Sequence, residues 1–155
     1  MITRQTFLRS ALAVTIVGAT VLAGCASKRP SQTTEIFEAE LTGMAEVPPV
    51  QTYGKGMIEA TWKPATMQLS YRATYSGLSG QPTAAHFHGP ATPMDNAGVS
   101  LPVTVGTPQL MTIQGEATLT QQQAADLAAG RWYFNIHTAA NPGGEIRGQM
   151  RKRGG

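Results

Sequence analysis

Cysteine is nearly absent: the 155-residue chain has one, Cys25. A single thiol excludes an internal disulfide framework and any zinc site built on two or four cysteines. Charge is also sparse, at 14 % of residues, against 17 Gly and 10 Pro. That composition excludes a coiled coil and a highly charged disordered chain. There is no Ser-His-Asp motif, phosphate-binding loop or dinucleotide fingerprint, and Gly54-Lys55-Gly56 has no helical pattern behind it. The acids Glu46, Glu59, Asp95, Glu116, Asp126 and Glu145 are scattered, so no carboxylate pair is placed by sequence. The net charge of +3 invites a nucleic-acid reading, but its distribution argues against one. Cys25–Met150 holds 7 basic residues and 9 acids, and the excess of positive charge sits at the two ends.

The first residues read as an address. Arg4 and Arg9 precede the apolar run Ala11–Leu22, which is too short to span a bilayer comfortably. Leu22-Ala23-Gly24-Cys25 follows and resembles the bacterial lipobox, so residues 1–24 are expected to be a lipoprotein signal peptide and Cys25 the lipidated N-terminus. Acyl chains on both its sulfur and its amine suffice for stable attachment. No Asp follows Cys25, so the expected location is the bacterial cell envelope, on the outer membrane facing the periplasm where the cell has one. Thr3–Arg9 also resembles a twin-arginine motif with Gln5 in place of the second Arg, which leaves the export route open. Residues 25–33 are small and polar and read as a tether. Residues 151–155 read as a basic tail, with Arg151, Lys152 and Arg153 suited to anionic headgroups.

Between tether and tail, residues 34–150 show two-residue periodicity punctuated by Gly and Pro. The pattern predicts strands over 35–41, 57–62, 68–75, 83–88, 101–105, 110–119, 131–138 and 145–150. One short helix is expected near 121–129, with Thr120 as N-cap, Gln123 completing a capping box and Gly130 as the stop. Short strands at this spacing predict an all-β fold, an antiparallel Greek-key β-sandwich of the immunoglobulin or superoxide-dismutase kind.

The domain has three histidines. His86 and His88 flank Phe87, so alternation puts both imidazoles on one strand face. His137 ends another strand just before a turn. Three imidazoles suit one copper or zinc ion with a coordination position left open. Met44, Met57, Met67, Met94, Met111 and Met150 are further soft donors. Arg147 and Glu145, on the last strand, form a candidate anion or ion-pair site in which Arg147 holds Glu46, Glu145 or Asp95.

Four segments together carry a family resemblance: Leu41–Pro49 (LTGMAEVPP), Tyr75–Gly80 (YSGLSG), Thr83–Pro90 (TAAHFHGP) and Asn135–Gln149 (NIHTAANPGGEIRGQ). In order and spacing they resemble the CHRD domain, the repeat unit of chordin that also occurs singly in secreted bacterial proteins. The resemblance implies a β-sandwich with a binding or structural role toward another envelope or extracellular component, and implies no reaction. A weaker similarity is to copper–zinc superoxide dismutases, where an H-x-H strand and a late His hold copper. His86, His88 and His137 match those ligands in order, and Gly143-Gly144 and Arg147 fall near the corresponding turn and Arg. The bridging His, the remaining zinc ligands and the disulfide are missing. The expectation is therefore a lipid-anchored extracytoplasmic binding module, with a copper- or zinc-binding protein of weak redox activity as the competing reading.

Overall fold

The structure is a computed structural model that describes residues 33–106 and 110–154. The signal segment, Cys25 and the tether as far as residue 32 lie outside the described residues. The described elements are β1 (Glu35–Thr42), a 3-10 turn (Gly43–Ala45), β2 (Lys55–Lys63), β3 (Gln68–Ser76), β4 (Pro82–His88), β5 (Val99–Val103), β6 (Thr112–Thr118), α1 (Gln121–Ala128), β7 (Tyr133–Thr138), β8 (Ile146–Gln149) and β9 (Arg151–Lys152).

Alternation decides which side chains go inside. In β3, Leu69, Tyr71, Ala73 and Tyr75 are buried, while Arg72 and Thr74 between them are exposed. The hydrogen-bonded path runs β5-β4-β7-β8-β1-β2-β3-β6, with every pairing antiparallel. It folds over so that β5-β4-β7-β8 faces β1-β2-β3-β6. Tyr71 of β3 meets Phe87 of β4 edge-on across that interface, with ring centroids 5.3 Å apart. Phe87 also packs on Phe134 at 4.9 Å and Trp132 at 5.6 Å, which makes it the hub of one continuous core. Gly115, opposite Tyr71 in β6, has no side chain because a Cβ there would lie 2.8 Å from Tyr71 Cζ.

This is the expected all-β sandwich, with Greek-key crossovers: β6 returns beside β3, β7 beside β4 and β8 beside β1. The helix is capped as its sequence predicts. Gln123 N–H donates to Thr120 Oγ1 at 3.2 Å and Thr120 N–H donates to Gln123 Oε1 at 2.8 Å. Ala124 and Leu127 are buried against the sheet, as a helix too short to stand alone requires.

The C-terminus departs from the expectation of a tail. Arg151 and Lys152 form β9, which pairs with Glu38 and Phe37 of β1. Lys152 Nζ lies 3.0 Å from Glu35, and Arg153 bridges Glu38 and Glu59 at 2.6 and 2.5 Å. These basic side chains meet the protein's own carboxylates. Local sequence shows a charge run but not that acids of β1 and β2 lie across from it. Among the described residues, no helix is long and apolar enough to cross a membrane.

Phe134→Ala removes a fully buried ring beside Phe87 and is expected to cost about 3–5 kcal/mol of folding stability. Chemical denaturation checks this; a loss below about 1 kcal/mol would mean that the two layers do not share one core.

Candidate metal centre

The site lies on the outer face of the β4-β7-β8 layer, not in the sandwich core. Ala85 and Phe87 point inward, so His86 and His88 point out. Along β7, Phe134 and Ile136 enter the core, while Tyr133, Asn135 and His137 share the outer face. Pairing sets the rows: His88 opposite Tyr133, His86 opposite Asn135, Ala84 opposite His137. His137 is thus a diagonal neighbour of His86. The outer face of β7 is nonetheless buried, because the loop between β4 and β5 and the turn after β7 fold over it.

The three imidazoles converge. One ligand nitrogen from each of His86, His88 and His137 lies within 4.8 Å of the others. His137 Nδ1–H donates to Pro142 O at 2.9 Å, which leaves Nε2 as the lone-pair nitrogen. His86 Nδ1 lies 3.1 Å from that nitrogen and becomes a second lone-pair nitrogen when the His86 proton is carried on Nε2. His88 Nδ1–H donates to Ala97 O at 2.9 Å, so its Nε2 is likewise the nitrogen turned to the cluster. Asn135 Oδ1 meets it at 3.1 Å, so this amide must rotate when the lone pair is used.

With metal–nitrogen bonds of about 2.0–2.1 Å, two nitrogens 3.1 Å apart subtend roughly 100° at a shared ion. At tetrahedral angles such bonds set two nitrogens about 3.3–3.4 Å apart, so the widest pair must close by about 1.4 Å through rotation of the imidazole side chains. Burial, then the like charges of neighbouring imidazoles, holds His86 below the ordinary histidine range. For His137, burial again dominates, reinforced by His88 and opposed by the Pro142 hydrogen bond. Both rings are therefore neutral at pH 7, the form that binds metal. His86 is half-buried and the other two are buried, so the cluster is open on the His86 side.

Arg147 organises the surroundings. It is 1 % exposed, and among the described residues it forms no ion pair within 4 Å, with Glu145 or any other acid. Its Nη1 donates to Asn96 Oδ1 at 2.9 Å and its Nη2 to Asp95 O at 2.7 Å and Thr92 O at 3.4 Å. Its Cζ sits 3.5 Å over the Tyr133 ring. His88 stacks parallel on the same ring at 4.8 Å. Both groups over one face would overlap, so the order is guanidinium, phenol, imidazole.

Glu145 has separate partners. It is fully buried and accepts from Thr52 Oγ1 at 2.6 Å, Ser79 N–H at 2.8 Å, Ser79 Oγ at 2.5 Å and Thr138 Oγ1 at 2.6 Å. Burial alone would raise its pKa; the donors from Ser79, Thr138 and Thr52 outweigh burial and hold it at about 2. Glu46 is the converse. Burial pushes it up to about 7 against the Arg147 charge and the Asn135 amide, and its Oε1 finds no well-aligned donor. Gly144, at φ 130°, leaves the space in which Glu46 Oε1 and Asn135 Nδ2 sit; a Cβ there would lie 2.8 Å from that Nδ2.

Asn135 and Tyr133 were not singled out from sequence as site residues, although spacings of two and four residues before His137 put them on its face. The Ala97, Pro142, Thr92 and Asp95 carbonyls carry no sequence signal at all.

The chain is thus an all-β sandwich with three imidazoles gathered on an outer face and two of them steadied by backbone carbonyls. The CHRD domain family model matches residues 37–150, and the chain belongs to that family. No curated protein and no solved structure matches it.

The two buried carboxylates predict opposite pH behaviour. Glu145 has a folded pKa below its ordinary 4.5, so its contribution is complete above that value and is lost as pH falls toward 2. Glu145→Gln is expected to cost about 3 kcal/mol at pH 7 and much less at pH 3. Glu46 has a raised folded pKa, so it costs stability as pH rises from 4.5 through 7. Glu46→Gln should therefore melt higher than the wild type at pH 8, with the advantage shrinking by pH 5. Melting curves from pH 3 to pH 8 decide both; a difference that stays constant between pH 3 and 5 for Glu145→Gln, or between pH 5 and 8 for Glu46→Gln, would refute the assignment.

Proposed function

We propose that this protein is a lipid-anchored, extracytoplasmic CHRD module that holds one copper or zinc ion on His86, His88 and His137. One observation carries the metal reading: all three histidines of the chain, from two strands, bring a ligand nitrogen within 4.8 Å of one another. Two of them already spend Nδ1–H on backbone carbonyls, the outer bonding that aims metal-bound imidazoles. Three imidazole nitrogens and one open side suit either ion. The anchor rests on Cys25 and the apolar run before it.

The purified protein is expected to retain one equivalent of copper or zinc after dialysis, measured by elemental analysis. His86→Ala/His88→Ala should weaken binding at least about 100-fold, and retention should fall as pH drops through the range in which the imidazoles protonate. Unchanged stoichiometry in the double variant would overturn the metal reading. Cys25→Ala is expected to move the protein from the membrane fraction to the soluble fraction. If it stays with the membrane, the anchor does not rest on this cysteine.

A further inference from the structure

A cleft of about 710 Å³ opens on the outer face where β1, β2 and β8 meet the turn after β1 and the loop between β4 and β5. It does not include the histidines. Met44 from the turn, Met57 from β2 and Met94 from the loop all line it. Each is largely in water, with 65 %, 49 % and 79 % of its surface exposed. A thioether left there adds little to folding; Gln51 Nε2 donates to the Met44 sulfur at 4.0 Å, which leaves that thioether a second lone pair for a cation. By contrast Met150, on the core side, is fully buried.

We propose that Met44, Met57 and Met94 form a second metal site in this cleft, which takes one soft monovalent cation, Cu(I). Thioether donors select such ions over Zn²⁺, Mg²⁺ or Ca²⁺. Methionine is unbranched with three rotatable bonds, so three residues from three elements can swing their sulfurs to a common point. Glu40, which is exposed and lies across from Met57, offers a carboxylate at the cleft; Arg151 also lines it, and the Arg147 guanidinium is turned onto Tyr133 and loop carbonyls. The proposal is independent of the three-histidine reading, because the two sites share no ligand.

Silver(I) is the probe, with the same charge and softness and no oxidation to follow. In protein carrying ¹³C-methyl methionine, titration with Ag(I) is expected to shift the signals of Met44, Met57 and Met94 together, saturating at one equivalent. Met111 is the internal control: it is 56 % exposed and lies outside this cleft. A Met44→Leu/Met57→Leu/Met94→Leu variant keeps the apolar surface and removes the sulfur, and should bind one equivalent less Ag(I). If the three signals move no more than that of Met111, or if the leucine variant binds as the wild type does, the proposal is overturned. Methyl shifts that persist in His86→Ala/His88→Ala support it even where copper and zinc binding at the histidines has failed.

Discussion

A permanently charged guanidinium cannot be left without acceptors inside a protein, and Arg147 is inside. Among the described residues no carboxylate pairs with it directly, and the loop between β4 and β5 is folded down until its carbonyls and Asn96 supply the acceptors. Gln149 fastens the same loop by donating to Ala91 O, and Asn96 ties it to Val47. With the loop in place, Ala97 O reaches His88 Nδ1 and the Tyr133 hydroxyl. The orientation of the His88 imidazole thus depends on satisfying one arginine. The loop also brings Met94 to the cleft.

The polar groups of this face serve two separate ends. Glu145 is saturated with donors and locks the β7–β8 turn to Ser79 and Thr52, far along the chain. Glu46 is undersupplied with donors and sits beside the amide that touches His88. One carboxylate fastens the scaffold. The other is a buried acid held near neutrality next to the imidazole cluster, at a cost the fold bears.

Much of the fold was legible because its signals are local. Two-residue alternation marked β1 to β4 nearly to the residue, and Thr120, Gln123 and Gly130 marked the helix. The His86/His88 pair was legible for the same reason, since positions two apart on a strand share a face. What was hidden depends on long-range register. Nothing near His137 says that it lies diagonal to His86, and nothing near Arg147 says that its partners are carbonyls of residues 92 and 95 in place of Glu145. The ends misled in a similar way: Arg151–Arg153 looks like a free tail until β9 pairs with β1 and meets Glu35, Glu38 and Glu59.

The pairing of β1 with β8 also fixes a length. Thr42, at the far end of β1, lies opposite Arg147; Arg147 lies opposite Asn135, and Asn135 opposite His86. The imidazole cluster therefore belongs to the row that crosses the sheet where β1 ends, whereas the chain enters the domain where β1 begins. Seven residues of extended strand separate the two, about 24 Å at 3.4 Å per residue. β9 and the Arg153 clamp stiffen the entering end. The first strand is thus a rigid spacer that sets the histidine row one strand length away from the point where the described chain enters the sandwich.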